Sequence, residues 1–253
     1  MQAKFAAGVV RGRSHAAAGL PCQDRAGGYR DDTLAAVVLS DGAGSCPHSE
    51  QAAETVVSRL PGYLSRHFED LYADDSPDAA VRLVRDGQHA LEVLGLPMEE
   101  CYCTLLFYAR HRDGRWLCGH IGDGYLFESD AEGVRVLSYP ENGLYSYETY
   151  FLSQDCAAEH LRLQRGVCGE ERCVLLASDG SADGLYDREE HVPAQAVEVL
   201  CSWLANPDNP PETVREAYLR AMEDKLSSHT HDDMSLAALW CSGRDIPCPS
   251  EPE

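Results

Sequence analysis

The stretch CVLLASDGSADGLYD, residues 173–187, is an apolar run that stops at an aspartate. The run as far as Ala177 has the length and the β-rich composition of a buried strand, and Asp179-Gly180 is a dipeptide typical of turns. A second aspartate, Asp183, follows four residues after the first. The pattern predicts a buried strand with carboxylates at the sheet edge where it ends.

Aspartates adjoin predicted strands at three further places in the chain. In chain order these are Asp41-Gly42 after the run LAAVVLS (residues 34–40), Gly122-Asp123-Gly124 between two β-rich runs, and Asp232-Asp233 before the run MSLAALWC (residues 234–241). Each of these alone is most often a plain turn, because Asp and Gly are both common turn residues. Four of them beside strong strand patterns favour a shared function.

A shared function requires that the sheet order brings these strand ends together. Carboxylates crowded at one edge repel each other unless a cation neutralises them, and all-oxygen ligands favour Mg²⁺ or Mn²⁺ over zinc. Two such ions, about 3.5 to 4 Å apart, lower the pKa of a shared water and hold the oxygens of a phosphoryl group for in-line displacement. The pattern therefore favours hydrolysis of a phosphate ester.

Two pairs of helices are predicted between blocks of strands. Residues 49–72 carry apolar positions at steps of three and four, which predicts a helix that Pro61 kinks or divides. A second helix is predicted to begin at Pro77, after Ser76 as its N-cap. The other pair is predicted at about 191–205 and 211–228.

Short β-rich runs between the helix pairs predict a meander of hairpins, with ETYFLS at residues 148–153 as one of the later strands. This order does not suit a regular βαβ alternation. It predicts an α+β fold in which antiparallel sheets are covered by helices. No internal repeat or long linker is present, so residues 1–243 are predicted to form one domain, followed by a disordered tail at 244–253.

Composition excludes several classes of function. The net charge of −21, from 42 acidic and 21 basic residues, argues against nucleic acid and anionic membranes as partners. No apolar run is long enough for a membrane span or a secretory signal, which predicts a cytoplasmic protein. Eleven cysteines without a secretion signal are expected to be reduced. Four of them, in apolar runs, are predicted core residues: Cys101, Cys103, Cys173 and Cys241.

Five motifs in order carry a resemblance to a known family. They are RGRSHAAAGLPCQDR (11–25), LSDGAGS (39–45), GHIGDGYLF (119–127), LLASDGSADGLYD (175–187) and HDDMSLAAL (231–239). As an ordered set they resemble the metal-dependent serine/threonine protein phosphatases of type 2C, in particular a bacterial branch. The resemblance spans about residues 8–241. It implies a four-layer α-β-β-α sandwich, with two antiparallel sheets packed face to face and helices outside.

The resemblance also implies roles for individual residues. Asp41 would bridge two metal ions, with Asp179 and Asp232 completing the shell of the first, and these three are the predicted catalytic centre together with His15. The implied metal ligands are Asp24, Asp41, Gly42 (through its carbonyl), Asp123, Asp179, Asp183 and Asp232, of which Asp24 would orient a water and Asp123 and Asp183 would hold a third ion. Asp233 is expected to support the site rather than to bind metal. Residues 138–170 correspond to the variable flap of the family.

Departures from the family pattern leave two roles open. Gln23 replaces a carboxylate of many members, Gly19 stands where many have a phosphate-binding arginine, and Ala43 stands where animal members often have a histidine. By proximity, the candidates for the phosphate ligand are Arg13 above all, Arg25 and His15. His15 is also a candidate to protonate the leaving oxygen, although a histidine after Ser14 is more often a turn residue or a hydrogen-bonding group.

The predicted function is hydrolysis of phosphoserine and phosphothreonine in proteins with Mn²⁺ or Mg²⁺, by two ions and with room for a third. The expected partners are a phosphorylated protein and a cognate serine/threonine kinase, and the chain is expected to act as a monomer. The alternative is a pseudophosphatase, in which Gln23 and the missing arginine mark a module that binds phosphoproteins without turnover. His229 and His231, beside Asp232, are expected to be solvated loop residues.

Overall fold

A computed structural model describes residues 1–143 and 149–243 of the chain. The strands are β1 (Gln2–Val10), β2 (Arg25–Arg30), β3 (Leu34–Ser40), β4 (Leu105–His111), β5 (Arg115–Ile121), β6 (Tyr125–Asp130), β7 (Gly133–Ser138), β8 (Arg162–Val167), β9 (Arg172–Ala177), β10 (Tyr186–Asp187), β11 (Val192–Pro193) and β12 (Met234–Ser242). The helices are α1 (Arg13–Ala18), α2 (Ser49–Ala73), α3 (Pro77–Glu92), α4 (Ala157–His160), α5 (Asp179–Ala182), α6 (Gln195–Ala205) and α7 (Pro211–Asp224), with 3₁₀ turns at Met98–Glu100 and Leu226–Ser228. The predicted tail at 244–253 lies outside the described residues.

Two five-stranded sheets form the centre of the molecule. One has the order β1-β12-β9-β6-β7 and the other the order β2-β3-β4-β5-β8, and every pairing within them is antiparallel. The inner faces pack on each other through apolar side chains such as Val37, Leu106, Leu176 and Leu239. Burial of these side chains from both sheets gives the central layer of the core.

Helices cover the two outer faces. On β3, alternate residues point to opposite sides, so that Val37 faces the other sheet while Val38 packs under α2 and α3, and this is why LAAVVLS is apolar without interruption. Leu200 of α6 and Tyr218 of α7 pack on the outer face of the other sheet. The predicted four-layer α-β-β-α sandwich with two antiparallel sheets is confirmed.

Three local predictions were wrong. Of the two alternatives for Pro61, division of the first long helix is wrong, because α2 continues for 25 residues with Pro61 inside it, while a kink stays a prediction. The strands β5 and β6 do not form a hairpin, since the chain crosses at Gly122-Asp123-Gly124 from one sheet to the other. The described part of ETYFLS is not a strand: Tyr150 stacks on His160 and Phe151 stacks on Tyr102, so these side chains are held by aromatic contacts instead of a ladder.

Other helix predictions hold. Ser76 caps α3, where its hydroxyl accepts a hydrogen bond from the N–H of Asp78 at 3.3 Å.

The cysteines predicted for the core, 101, 103, 173 and 241, are buried and unpaired. No helix among the described residues is long and apolar enough to cross a bilayer.

Candidate metal centre and active site

The sheet registers place the aspartate-bearing strand ends next to each other. In the first sheet, Ala177 of β9 pairs with both Leu236 of β12 and Tyr125 of β6. Asp179 comes shortly after Ala177, while Asp232 and Asp123 come shortly before Leu236 and Tyr125. Because the strands are antiparallel, all three aspartates lie at the same edge of this sheet. In the second sheet the pairs Arg25–Ser40 and Leu105–Ile121 bring the ends of β2, β3, β4 and β5 to one edge. The site therefore lies at one common edge of the two packed sheets.

Hydrogen bonds fix the backbone around Asp41. Its N–H donates to the hydroxyl of Thr104 at 2.9 Å, and its carbonyl accepts from the N–H of Thr104 at 2.8 Å. The hydroxyl of Ser40 donates to the carbonyl of Thr104 at 2.6 Å. Gly42 is buried and forms a bridge with Cys103. Asp41 is thus held rigidly although it lies in a loop after its strand.

A second set of contacts joins the loop of Asp179 to that of Asp232. The N–H of Ser235 donates to the hydroxyl of Ser178 at 3.0 Å, and the N–H of Ser178 donates to the carbonyl of Ser235 at 3.2 Å. A methyl group on Gly180 would lie only 2.2 Å from the carbonyl oxygen of Asp233. Because only glycine allows this approach, the sequence Asp-Gly is required here for packing as well as for the turn.

Asp24 is the most deeply buried of the predicted aspartate ligands, with 1% of its surface exposed. Burial raises its pKa to about 7, the charge of Asp179 adds to the rise, and nearby hydroxyl groups oppose it. For Asp41 the pKa is raised well above its usual value, first by burial and then by the charges of Asp24, Asp179 and Asp123. These side chains therefore lie close enough to resist ionising together.

The remaining aspartates extend the cluster toward solvent. Burial and the charge of Asp179 raise the pKa of Asp123 to about 7, while burial and the charges of Asp232 and Asp183 raise the pKa of Asp179. Asp232 and Asp183 are themselves exposed. Asp183 forms an ion pair of 2.8 Å with Arg188, so a cation at Asp183 would compete with that guanidinium.

The donor set fits a hard divalent cation. Both carboxylate oxygens of Asp24 are buried without a well-aligned hydrogen-bond donor, and the groups around it are further carboxylates. The side chains converge without being arranged as a ready coordination shell, since no group of three carboxylate, imidazole or thiol side chains within residues 1–143 and 149–243 is already placed to hold an ion. A cation would stabilise the ionised carboxylates against the burial and the repulsion that raise their pKa values.

His15 lies on α1 at the side of the site. Its Nδ1 is 2.7 Å from Oδ2 of Asp233, and its Nε2 would be 3.7 Å from a methyl group placed on Gly44, in the loop that follows Asp41. Oε1 of Gln23 approaches the same point and has no hydrogen-bond partner, whereas the amide nitrogen of Gln23 donates to the hydroxyl of Ser49 at 2.6 Å.

The two arginines suggested for phosphate binding are engaged with the protein itself. Arg13 donates to the carbonyls of Ser227 and Thr230, at 2.7 and 2.9 Å. The guanidinium of Arg25 is paired with Glu50 and Glu54. Each would have to leave these partners to reach a phosphate, so their role stays a prediction.

Two sets of contacts that hold the site were not predicted from the sequence, those of Thr104 and those of Asp233. Thr104 lies in none of the five motifs. It holds Asp41 only because β3 pairs with β4, and no local signal in the sequence reveals this pairing. Asp233 was expected to support the site, but not as an acceptor for two distant backbone N–H groups, those of Gly12 and Gln23, both at 2.6 Å.

The chain is similar to known phosphatases in sequence. The profile of the family described as protein phosphatase 2C matches residues 11–222. Serine/threonine-protein phosphatase 3 of Escherichia coli K12 is 27% identical over 251 residues, which cover 90% of this chain and 95% of that protein.

The fold is similar to those of solved bacterial phosphatases. The serine/threonine phosphatase of S. agalactiae matches with a TM-score of 0.63 at 13% identity, over 94% of this chain and 99% of that one. The catalytic domain of the phosphatase PstP in complex with two manganese ions matches with a TM-score of 0.61 at 18% identity, over 94% and 97%. At these identities the likeness concerns the fold.

Proposed function

The chain belongs to the protein phosphatase 2C family, and from this we propose that its aspartate cluster holds two divalent ions at the common edge of the sheets. Membership makes the chain a metal-dependent serine/threonine protein phosphatase that acts on phosphorylated proteins. The number of ions and the residues that hold them are our proposal. The observation that supports it is the sheet register, which brings the strand ends next to Asp41, Asp123, Asp179 and Asp232 to one common edge.

Each residue has a distinct part in the proposed site. Asp41 would contact both ions, and Gly42 would contribute its backbone carbonyl as a ligand. Asp179 and Asp232 would complete the shell of one of the ions. Asp24 would accept a hydrogen bond from a water, for which its two unpartnered oxygens are suited. Asp123 and Asp183 would hold a third ion after Arg188 is displaced. When bound, such ions lower the pKa of a water and neutralise the charge of a phosphoryl group.

The protein supplies orientation and electrostatics around that chemistry. Hydrogen bonds with Thr104 in both directions fix the backbone of Asp41, and the Ser178–Ser235 pair fixes the positions of Asp179 and Asp232 relative to each other. Burial, followed by the charges of neighbouring aspartates, raises the pKa values of the cluster, so cation binding would release protons. We also propose that the chain works as a cytoplasmic monomer with a cognate kinase, and that residues 1–243 act as one domain.

The pseudophosphatase alternative has no observation in its favour among the described residues. Gln23, which suggested it, uses its amide nitrogen in a hydrogen bond to Ser49 and so has a packing role of its own. A phosphate-binding arginine is not identified, and metal ions can carry that part of substrate binding.

Phosphate release from a phosphoserine peptide tests the proposal. We expect turnover in Mn²⁺, its loss in chelator, and a fall of at least about 100-fold for Asp41→Asn and Asp179→Asn. Asp70→Asn, at an aspartate that is 79% exposed on α2, is the matched control and should keep full activity. Calorimetric titration with Mn²⁺ alone gives a second readout. Binding of fewer than two ions by the wild type, or unchanged binding by Asp41→Asn, would contradict the ligand assignment.

A further inference from the structure

Asp233 connects three separate parts of the chain. Only 3% of its surface is exposed. One carboxylate oxygen accepts a hydrogen bond from the N–H of Gly12 at 2.6 Å, and the other accepts from the N–H of Gln23 at 2.6 Å. That second oxygen also lies 2.7 Å from Nδ1 of His15. The two backbone donors fix the orientation of the carboxylate, so the imidazole of His15 lies beside an acceptor whose position is fixed.

The contact determines how the imidazole is placed. A carboxylate only accepts hydrogen bonds, so Nδ1 beside it is the nitrogen that carries hydrogen. The distance is that of an ion pair, without the alignment of a full hydrogen bond, and such contacts often tighten only when substrate is present. Nε2 is then directed toward Gly44 and the loop of Asp41.

We propose that Asp233 is a positioning residue that holds His15 with Nδ1–H against its carboxylate, so that Nε2–H can donate a proton to the leaving oxygen of phosphoserine or phosphothreonine. This rests on the proposed function and deepens it. Water attacks phosphorus, its two protons stay on the released phosphate, and the bond from phosphorus to the side-chain oxygen breaks. The electron pair of that bond stays on the serine or threonine oxygen, which takes the proton from Nε2. His15, now neutral, keeps its proton on Nδ1 and regains one on Nε2 from solvent.

A second proton-bearing group against Asp233 does not compete for this role. Cys22 lies beside Asp24 and Asp233, and burial, followed by the charges of these two aspartates, raises the pKa of its thiol to about 12. The thiol therefore holds its proton firmly. Oε1 of Gln23 has no hydrogen-bond partner and, like Nε2 of His15, lies within 4 Å of the position of a methyl group placed on Gly44.

Substrates with different leaving groups test the role of His15. A serine alkoxide must be protonated as it leaves, whereas p-nitrophenolate leaves without a proton. We expect His15→Gln to lower kcat on a phosphoserine peptide by about 100-fold and to change kcat on p-nitrophenyl phosphate by less than about threefold. His231→Gln, at an exposed histidine of the neighbouring turn, is the matched control and should leave both rates unchanged.

The outcomes separate this inference from the function on which it rests. Equal losses of His15→Gln on the two substrates would indicate phosphate binding or a structural role, and no loss on either would indicate a plain turn residue. Both results overturn the inference. A wild-type protein without Mn²⁺-dependent turnover of either substrate would instead overturn the proposed function.

A spectroscopic measurement tests the role of Asp233 without reference to activity. Long-range ¹H–¹⁵N spectra of protein labelled in its ten histidines report which ring nitrogen carries hydrogen, and His15→Gln identifies the signals of His15. At a pH where the ring is neutral, we expect the Nδ1–H tautomer in the wild type and a shift toward Nε2–H in Asp233→Asn, whose amide can donate to Nδ1. An Nε2–H tautomer in the wild type overturns the assignment. Should Asp233→Asn not fold, the wild-type spectrum alone decides.

Discussion

Asp233 accepts a 2.6 Å hydrogen bond from the backbone N–H of Gln23, which lies 210 residues earlier in the chain. The same carboxylate accepts from Gly12, so the start of β12 is tied to both ends of the segment that carries α1. The segment is also anchored by the N–H of Ser14, which donates to the carbonyl of His231 at 2.9 Å, and by Arg13, which donates to the carbonyls of Ser227 and Thr230. Asp233 is therefore one of several contacts that fix His15 and Asp24 relative to Asp232, and it is the one that joins both ends of the segment.

We expect Asp233→Ala to lower the free energy of unfolding by about 2 to 5 kcal/mol, because two backbone donors lose their acceptor in a buried place. Asp232→Ala, at the exposed neighbouring position, should change it by less than about 0.5 kcal/mol in the metal-free protein. Urea unfolding in chelator measures both values. Equal effects of the two substitutions would show that Asp233 is not an anchor.

Removing a charge from the cluster should stabilise the metal-free protein. Asp41 has a pKa raised by burial and by three other aspartates, so ionising it in the folded state is unfavourable. At pH 8 we expect Asp41→Asn to raise the Tm of the metal-free protein by a few degrees, on the order of 1 kcal/mol. The rise in Tm that Mn²⁺ produces in the wild type should be abolished in the same variant.

The control for that experiment is Asp70→Asn, which removes an equal charge from the exposed face of α2. It should leave the Tm of the metal-free protein within about a degree and keep the full response to Mn²⁺. If Asp70→Asn stabilises the protein as much as Asp41→Asn does, the gain reflects the net charge of −21 rather than the cluster.

The pKa values of Asp24 and Asp123, both raised to about 7, predict how stability depends on pH. Both lie above the ordinary value of 3.8, so the folded, metal-free protein binds more protons than the unfolded chain between about pH 4 and 7. Stability in chelator should be highest near the acidic end of this window and fall by about 2 kcal/mol or more as pH rises through 7.

Saturating Mn²⁺ should reverse this dependence, because cation binding requires the ionised carboxylates and strengthens as pH rises. Thermal unfolding at pH 5, 6, 7 and 8, with chelator and with Mn²⁺, measures both slopes. Asp24→Asn should flatten the slope in chelator. A slope in chelator that stays the same in this variant would assign the effect to the overall charge of the chain.

The sequence was sufficient to predict the central part of the fold and the clustering of the site. The strands β3, β9 and β12 are buried on both faces, so their apolar runs are unmistakable, and each adjoins one of the aspartates. Edge strands carry weaker signals. β8 (RLQRGV) is half-buried and polar, and β2 (RAGGYR) has two glycines that leave room for Phe5 and Val57, so neither was predicted.

What could not be predicted depends on contacts between residues far apart in the chain. Nothing near Asp233 in the sequence indicates that it accepts from Gly12 and Gln23, and nothing near Gln23 indicates that its amide nitrogen donates to Ser49. Gln23 was therefore interpreted as a mark of a pseudophosphatase, whereas its amide nitrogen has a packing role through hydrogen bonds to Ser49 and Cys46.

That packing predicts the result of restoring the carboxylate. In Gln23→Glu the side chain would lose the donor that now contacts the hydroxyl of Ser49 at 2.6 Å and the carbonyl of Cys46 at 3.2 Å, and a buried charge would face that carbonyl. We expect a loss of about 2 kcal/mol or more in the metal-free protein. Affinity for Mn²⁺, measured by calorimetry, should not rise. Tighter Mn²⁺ binding without loss of stability would contradict this prediction and would mean that the amide of Gln23 weakens metal binding.

Two glycine substitutions should have opposite effects on stability. A methyl group on Gly180 would lie 2.2 Å from the carbonyl oxygen of Asp233, which is backbone and cannot move without shifting the loops of Asp179 and Asp232. On Gly62, inside α2, it would meet only the end of the Arg66 side chain at 3.3 Å, which is flexible. We expect Gly180→Ala to cost more than about 2 kcal/mol, and Gly62→Ala to stabilise by up to about 1 kcal/mol.

The two variants also separate stability from assembly of the site. Because Gly180→Ala forces apart the loops that hold two proposed ligands, it should weaken Mn²⁺ binding at temperatures where the protein is still folded. Gly62→Ala should leave the affinity for Mn²⁺ unchanged, since α2 contacts the far side of its sheet. Calorimetry on folded protein checks this, and normal Mn²⁺ affinity in Gly180→Ala would mean that the distance between these loops does not define the metal site.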